Sequence, residues 1–384
     1  MISFIIPSYN NLRHLKNVYV SIKKHAPQAE IILIDDGSTD GTWDWIQDQD
    51  CIKYKSDERV GHTILYDKGI ELATNNIVGI LHADMIIGPN YVENILKHLK
   101  PQTIVCATRI EPPLHPAGKE KIIQNFGLDF DNLDINSFDS YCLEKQNEFK
   151  DQTTKGMFAP WILYKNDFQS IGGHDPLFAP FPYEDSDIFQ RWILAGYELI
   201  QSWDSFVYHL TCRGHRWSEQ VGIDDDFYKK ASVKAGRNYI RKWGSWIKND
   251  EYQYPIIPHK YDIGFVVTNC TLNSLATLEP WCSTIYTDDE MGVIEANYLE
   301  IEQPHTKINL IDKIKVAKYT TPTNNIIVEF NANLLTQNAF NILTQLPEII
   351  SESGEIGIFE LDIFKITINN LNTYEYDLIH IYNK

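Results

Sequence analysis

The sequence predicts an α/β protein built on a doubly wound, largely parallel sheet, and three observations support this fold class. Apolar runs rich in isoleucine, valine and leucine recur at Ser3–Pro7, Glu30–Ile34 and Ile77–Leu81, as in strands that are covered on both faces. Segments with helical spacing of apolar residues separate the runs, which is the order of βαβ units. A short polar segment follows each run, at the strand end where such folds bind ligands.

The connecting segments carry helix signals of their own. A first helix is predicted from Leu12 to His25, where apolar residues recur at helical spacing and Pro27 follows. A second is predicted after residues 35–41, whose glycines allow tight turns and whose Ser, Thr and Asp side chains can cap a helix. A third is predicted from about Thr63 to Ala73. The alternation of these helices with the apolar runs predicts a helix on each crossover of the sheet.

The length of 384 residues predicts two domains, and the composition changes near Pro255 and Pro258. We therefore expect one domain over residues 1–255 and a smaller C-terminal α/β domain of unknown role over 256–384. The later part contains no Gly-rich phosphate loop and no set of catalytic residues. Its predicted strands are Asp262–Thr268, Ser283–Tyr286, Asn325–Phe330, Glu355–Glu360, Ile363–Ile368 and Leu378–Tyr382, and its predicted helices are Leu272–Leu278 and Leu334–Ile350.

The composition narrows the classes of function. The chain has 34 basic and 52 acidic residues, giving a formal net charge of −18. A general nucleic-acid binder would be basic, so we expect no nucleic-acid partner. The six cysteines show no Cys-x-x-Cys spacing, the first residues lack the pattern of a signal peptide, and no apolar run approaches the ~20 residues that span a bilayer. We therefore expect a cytoplasmic protein without a transmembrane segment.

Three motifs at the strand ends carry a resemblance to a known family. They are Ile6-Pro7-Ser8-Tyr9-Asn10, Ile34-Asp35-Asp36-Gly37-Ser38-Thr39-Asp40 and Leu81-His82-Ala83-Asp84. Together and in this order they resemble the donor-binding motifs of family 2 glycosyltransferases of the GT-A fold. The resemblance implies a doubly wound mixed sheet with a Rossmann-like nucleotide-binding half, followed by an acceptor half.

The resemblance also implies ligands. Asp36, with Asp35 beside it, is expected to face the base of a nucleotide-sugar, and Asp84 is expected to hold Mn²⁺ or Mg²⁺ on the diphosphate. A short carboxylate beyond a strand end suits a hard cation, although such an aspartate also serves as a helix cap. The other donor-side candidates are Pro7, Ser8, Tyr9, Arg59, Lys68, His82, Ala83, Arg213, His215 and Arg216.

The chain departs from the family pattern at two places. His82 stands where the family has the first aspartate of Asp-x-Asp, so a contact with sugar or ribose and a purely local hydrogen bond are both open. Tyr66-Asp67-Lys68 replaces an Ala-Arg-Asn-like triplet. Arg59 and Lys68 either reach the donor or remain solvated cations.

The acceptor half of the resemblance follows after Gly156. Residues 171–175 resemble a Gly-Gly-Phe-Asp turn with His174 in place of Phe, and residues 183–188 resemble a Glu-Asp-x-Asp-Leu helix start. The family pattern makes Asp185 the general base that takes a proton from the acceptor hydroxyl, with Glu184 as the second candidate. The other interpretation is that both acids only favour the helix N-terminus. The acceptor-side candidates are Trp161, Gly173, His174, Asp175 and Asp187.

A last group of candidates follows the predicted strand that ends at His209. This histidine is either a second metal ligand or a structural residue. Arg213, His215 and Arg216 follow on a glycine-containing loop that could close over the diphosphate. The helix predicted from Phe227 to Trp243 is cationic and amphipathic, so its lysines form either a solvated face or a peripheral membrane contact.

These features lead to two hypotheses of function. The first is an inverting, metal-dependent glycosyltransferase of glycan biosynthesis that moves a sugar from a nucleotide-sugar, most simply a UDP-sugar, to a hydroxyl of a glycan or other acceptor. The alternative is a non-catalytic module that binds sugar-nucleotides or glycans, motivated by His82 and the altered triplet. The sequence argues against a Rossmann oxidoreductase, because the first turn is Pro-Ser-Tyr-Asn rather than Gly-x-Gly-x-x-Gly.

Overall fold

The computed structural model describes residues 1–213, 216–217 and 222–381. The chain divides into two compact units, one made of Met1–Ser232 with Lys248–Ile256 and the other of Val233–Ile247 with Ile257–Lys384. In the described residues, none of the helices combines the length and the apolar character needed to cross a bilayer. The predicted division into domains 1–255 and 256–384 stays a prediction.

The first unit contains a large mixed sheet. The order of its main strands is β3-β2-β1-β4-β9-β6-β10-β5, with β7 beside β6 and β8 beside β10. The strands β1, β2, β3 and β4 are parallel, whereas β9 runs antiparallel to its neighbours β4 and β6. The predicted α/β fold with a mixed sheet is therefore confirmed. The strands are β1 (Ile2–Ser8), β2 (Glu30–Asp35), β3 (Ile52–Lys55), β4 (Ile77–Ile80), β5 (Met85–Ile87), β6 (Thr103–Glu111), β7 (Lys121–Ile123), β8 (Thr153–Lys155), β9 (Trp161–Tyr164) and β10 (Glu198–His209).

Helices connect these strands, and the first three lie where the sequence predicts them. In the first helix, Leu15, Val18 and Ile22 are buried on one face, which explains why it packs on the sheet. In the third, Gly69 allows a close approach, because an added Cβ would lie 2.2 Å from Ile5 Cγ2 on the central strand. The helices are α1 (Leu12–His25), α2 (Thr42–Gln47), α3 (His62–Leu72), α4 (Tyr91–Leu96), α5 (Ile135–Glu148), α6 (Lys165–Ser170), α7 (Glu184–Leu194) and α8 (Asp226–Trp243).

A buried ion pair fixes α7. Asp187 Oδ2 accepts a hydrogen bond from Arg191 Nε at 2.7 Å, and both side chains are fully buried. The Arg191 guanidinium also donates to the carbonyl oxygens of Ile171 and Gly173. Because these carbonyls belong to the turn that precedes α7 in the chain, one guanidinium holds the helix and the turn together.

The second unit contains a six-stranded sheet in the order β13-β12-β11-β14-β16-β15. The strands β11 to β14 pair in parallel, and β15 and β16 form an antiparallel edge. The strands are β11 (Ile263–Thr268), β12 (Thr284–Thr287), β13 (Ile314–Val316), β14 (Ile326–Asn331), β15 (Gly357–Leu361) and β16 (Phe364–Ile368), and the helices are α9 (Leu272–Leu278), α10 (Val293–Glu302), α11 (Leu310–Lys313), α12 (Gln337–Thr344) and α13 (Leu346–Ser353).

Two predictions for this unit are wrong. The helix predicted over Leu334–Ile350 is divided at Gln345, because Pro347 lies in the first turn of α13 and has no N–H to continue α12. The strand predicted from residue 378 does not form in the described residues, where a 3₁₀ turn, Glu375–Leu378, ends the chain's regular structure. The backbone there bonds locally, with the N–H of Ile379 donating to the carbonyl of Tyr376, so it is not free to join a sheet.

We predict that Asp187→Ala destabilises the first unit by about 3–5 kcal/mol, because it leaves the Arg191 charge buried without its counter-ion. Denaturant titration would measure the change. Glu71→Ala is a suitable control, because it removes the partner of Lys68 from an exposed pair and should change the stability little. A loss for Asp187→Ala no larger than that of the control would contradict the prediction.

Candidate functional site

The carboxyl ends of β1, β2 and β4 bring the three sequence motifs together. Ser8 at the end of β1 lies opposite Asp35 at the end of β2. The N–H of Asp36 donates to the carbonyl of Ser8, and the N–H of Leu81 donates to the carbonyl of Ile5. The three polar segments therefore meet at one edge of the sheet, as the strand order requires.

A cavity opens at this edge, and both predicted and unpredicted residues line it. The predicted residues in its wall are Pro7, Ser8, Tyr9, Asp36, Arg59, His82 and Ala83. The residues that sequence reasoning missed are His62, Tyr66 and Phe181. Since these three come from α3 and from the segment before α7, the cavity wall continues from the predicted donor side to the start of the predicted catalytic helix.

The two aspartates of the second motif have different surroundings. The carboxylate of Asp36 accepts the N–H groups of Val60 at 2.7 Å and Gly61 at 3.0 Å, so it holds the loop before α3. Burial raises the pKa of Asp36, against the effect of these hydrogen bonds. Asp35 Oδ1 accepts the N–H of Ser38, whereas its Oδ2 is buried and has no hydrogen-bond partner in the described part of the chain.

The two predicted cations of this region differ in position. The Arg59 guanidinium carbon lies 4.0 Å from the ring centroid of Tyr9, 4.4 Å from that of Phe227 and 5.2 Å from that of Phe181. Stacking on aromatic faces holds this cation at the cavity wall. Lys68 instead pairs with Glu71 at 2.9 Å and is not part of the wall.

A candidate metal centre adjoins the cavity. His82, Asp84 and His209 each offer one ligand atom, and these atoms lie within 4.8 Å of one another. Asp84 Oδ2 accepts the N–H of Arg213 at 3.0 Å, and Asp84 Oδ1 is buried without a hydrogen-bond partner among the described residues. His209 Nε2 lies 3.8 Å from that oxygen. A buried, unpartnered carboxylate oxygen facing an imidazole nitrogen fits a bound cation.

The surroundings of both histidines favour metal binding. Glu111 Oε1 lies 3.0 Å from His209 Nδ1, so the opposite nitrogen, Nε2, is the one turned toward Asp84. Burial opposes the ionised form of Glu111, but His209, Arg109 and Lys121 outweigh it and hold the pKa of Glu111 well below its usual range. Burial lowers the pKa of His82 to about 3, so its imidazole is neutral, as a metal ligand must be.

The basic residues after β10 contact other parts of the first unit. The Arg213 guanidinium donates to the carbonyl of Leu128 at 2.8 Å and lies 3.6 Å from Asp129. Arg216 Nε donates to Asp224 at 2.9 Å. The predicted donor contact of His215 lies outside the described residues. Of this group, the structure brings the backbone N–H of Arg213 to the candidate metal centre.

The two acids at the start of α7 are adjacent but differently placed. Glu184 is 5% exposed, and its Oε1 forms a hydrogen bond with His62 Nε2. Asp185 is partly exposed and accepts the N–H of Ser186 at 2.7 Å. Burial, reinforced by the charge of Glu184, raises the pKa of Asp185 to about 6. For Glu184, burial acts in the same sense, but the His62 charge and hydrogen bond reverse it and lower the pKa.

Tyr66 links the candidate metal centre to these acids. Its side chain is buried, and it lines the cavity beside the rings of His62 and His82. Burial, followed by the charges of Glu184, Asp84 and Asp185, raises the pKa of Tyr66 well above its ordinary value. The charges of Glu184, Asp84 and Asp185 therefore all act on one side chain of the cavity wall.

The predicted acceptor-side residues form a layer behind this cleft. Asp67 accepts hydrogen bonds from the backbone N–H of His174 and, at 2.6 Å, from its Nδ1. Gly173 has a φ of +76°, and an added Cβ would lie 2.3 Å from Asp67. Fully buried side chains with partners inside the fold are Trp161, Asp175 and Asp187.

The sequence comparisons match the first part of the chain. The model of Glycosyl transferase family 2 matches residues 3–168. A validoxylamine A glucosyltransferase of Streptomyces hygroscopicus subsp. jinggangensis (strain 5008) is 23% identical over 229 residues, which cover 54% of this chain and 54% of the relative. An uncharacterized glycosyltransferase of Nostoc sp. is 32% identical over 111 residues, covering 27% of this chain and 34% of the relative. The chain thus spans about half the length of the first relative.

The solved structures to which the chain is similar are more distant. The crystal structure of GalNAc-T7 with UDP, GalNAc and Mn²⁺ has a TM-score of 0.45 and 15% identity, and it covers 66% of this chain and 49% of that one. The mannosyltransferase PcManGT of Pyrobaculum calidifontis, in complex with GDP-Man and Mn²⁺, has a TM-score of 0.41 and 17% identity, with 63% of each chain covered. The three sequence motifs all lie within residues 3–168, the part of the chain that matches the model of glycosyl transferase family 2.

Proposed function

We propose that the protein is an inverting glycosyltransferase that moves a sugar from a nucleotide-sugar, most simply a UDP-sugar, to a hydroxyl of a glycan or another acceptor. The observation that carries the proposal is the cavity at the sheet edge, which adjoins the His82, Asp84 and His209 cluster and is lined by Phe181 just before the α7 helix that begins with Glu184 and Asp185. A cation-binding carboxylate and a proton-accepting carboxylate beside one cleft are what transfer to a hydroxyl requires. The family match and the relatives named as glycosyltransferases support this proposal.

Asp185 is the proposed general base. A sugar hydroxyl becomes a strong nucleophile only as its proton is removed, and a carboxylate with a raised pKa accepts that proton more readily. Asp185 is partly exposed, so an acceptor hydroxyl can reach it, whereas Glu184 is committed to His62. The acceptor oxygen then attacks the anomeric carbon from the face opposite the leaving diphosphate, and the configuration inverts.

The donor is proposed to bind in the cavity at the sheet edge. Asp36 and the aromatic-held Arg59 line it, and Ser8 and Tyr9 come from the end of β1. His82, Asp84 and His209 would hold a divalent cation beside the diphosphate. When bound, such a cation neutralises the charge that develops on the leaving nucleoside diphosphate. The neutral imidazole of His82, the Nε2 atom of His209 and a carboxylate oxygen of Asp84 without a partner among the described residues make this set fit a cation.

The first prediction of this proposal concerns the base. Asp185→Asn should lower the rate of transfer by about 10²–10⁴-fold, because the amide cannot accept the proton, while donor binding stays nearly unchanged. The release of nucleoside diphosphate from a nucleotide-sugar with Mn²⁺ measures turnover, and calorimetry measures donor binding.

The control is Asp226→Asn, which changes an exposed acid in the first turn of another helix, α8. If Asp185→Asn keeps the turnover of the unchanged protein, Asp185 is not the general base. If the unchanged protein binds nucleotide-sugars but releases no nucleoside diphosphate with or without an acceptor, the non-catalytic binding module is the correct alternative.

The second prediction concerns pH. Since the folded environment raises the pKa of Asp185 to about 6, the base is ionised above this pH and protonated below it. We expect kcat/KM to be level above pH 6 and to fall about tenfold per pH unit below it. A profile that stays level down to pH 4.5, in protein that circular dichroism shows to be folded, would contradict this assignment.

The third prediction concerns the choice of metal. Two imidazoles and one carboxylate favour Mn²⁺ over Mg²⁺, because Mg²⁺ prefers oxygen ligands. We expect calorimetry of the protein with each metal alone to give a Kd at least about tenfold lower for Mn²⁺. His82→Asp adds an oxygen ligand and should narrow this difference, whereas His305→Asp, at an exposed position, should leave it unchanged. Equal affinities for the two metals in the unchanged protein would contradict this ligand set.

A further inference from the structure

A histidine that no sequence motif includes is hydrogen-bonded to an acid at the start of the catalytic helix. His62 is the first residue of α3, Glu184 is the first residue of α7, and His62 Nε2 bonds to Glu184 Oε1. The His62 ring stacks on Phe181, with centroids 5.3 Å apart and planes inclined by 18°. Both rings line the cavity, so His62 lies at its wall, and Glu184 is hydrogen-bonded to this wall residue.

The backbone around His62 is held from two sides. On one side, the Asp36 carboxylate accepts the N–H groups of Val60 and Gly61. On the other, Thr63 Oγ1 donates to the carbonyl of Pro180 at 2.9 Å. Gly61 has a φ of +87°, and an added Cβ would lie 2.3 Å from Pro180, so no other residue fits this turn without a shift. The loop is therefore fixed, and the imidazole has a defined position.

The second carboxylate oxygen of Glu184 has different surroundings from the first. Glu184 Oε2 is buried and lacks a hydrogen-bond partner among the residues that the structure describes. The charge of Glu184 acts on Tyr66 and His82, which both line the cavity. A buried carboxylate oxygen without a donor is unfavourable, so a ligand that supplies an O–H group would be favoured here. The hydroxyl groups of a sugar are donors of this kind.

We infer that His62 is a positioning residue and Glu184 a sugar-recognition residue: His62 donates to Oε1 and so directs Oε2 to accept a hydrogen bond from a hydroxyl of the transferred sugar. This inference rests on the proposed function and assigns the adjacent acids separate tasks. Glu184 recognises the sugar, and Asp185 accepts the proton. The ionised state of Glu184, which the lowered pKa ensures, suits an acceptor that has no proton of its own to donate.

The test compares binding of nucleotide-sugars with binding of the nucleotides that lack the sugar. Calorimetry with Mn²⁺ would measure Kd for UDP, UDP-glucose, UDP-N-acetylglucosamine, GDP and GDP-mannose in the unchanged protein and in variants. For the nucleotide-sugar that binds best, the Kd of the bare nucleotide divided by that of the nucleotide-sugar isolates the sugar contacts. His62→Ala and Glu184→Gln should each lower this ratio about tenfold or more, with the Kd of the nucleotide nearly unchanged.

Two further variants separate positioning from a general loss of structure. His62→Gln keeps a side-chain N–H donor and should retain more of the ratio than His62→Ala. His25→Gln is the matched control, because His25 Nε2 lies 3.1 Å from Asp139 in another histidine–carboxylate pair of the same unit, and its ratio should not change. Thermal unfolding of each variant checks that it is folded.

The possible results distinguish failure of this inference from failure of the proposed function. If His62→Ala weakens nucleotide and nucleotide-sugar equally, or changes neither, the inference is wrong and the proposed function stands. If Glu184→Gln leaves the ratio unchanged, sugar recognition by Glu184 is wrong. If the unchanged protein binds none of these nucleotide-sugars, the proposed donor class fails and the inference fails with it.

Discussion

The hydrogen bonds from the N–H groups of Val60 and Gly61 to the Asp36 carboxylate are the contact on which the site depends. They tie the end of β2 to the loop that begins α3. Through that loop, Gly61 lies against Pro180, four residues before the first residue of α7. A single carboxylate of the second motif thus helps to set the position of α7 relative to the sheet edge. The second motif therefore contributes to the shape of the cleft.

The adjacent acids at the start of α7 show how surroundings separate two similar groups. Burial raises the pKa of both, but a bonded histidine reverses this effect for Glu184 and leaves Asp185 to respond to burial and to its neighbour's charge. An ionised acceptor and a proton-accepting base can therefore stand next to each other in the chain. Such a separation of pKa values is a usual way to divide tasks between two carboxyl groups.

Local sequence patterns predicted the main strands and the position of the motifs. They did not predict contacts between segments that are distant in the chain. The strands at Ile2–Ser8 and Glu30–Asp35 follow from apolar runs, and their order places the motifs at one edge. The contact of His62 with Glu184 joins positions 122 apart, and no periodicity encodes it. Lys68 was a donor candidate by position alone, but it lies with Glu71 outside the cavity wall. In the second unit, the apolar spacing continues from α12 into α13. It therefore gives no sign that the helix is interrupted before Pro347.

Among the described residues, Asp35, Asp84 and Glu184 each have one buried carboxylate oxygen without a hydrogen-bond partner. Burial removes such an oxygen from water without replacing the lost hydrogen bond, which costs free energy of folding in the empty protein. A cation or a hydrogen-bond donor that reaches these oxygens would return that free energy, so occupancy of the site and resistance of the chain to heat are linked.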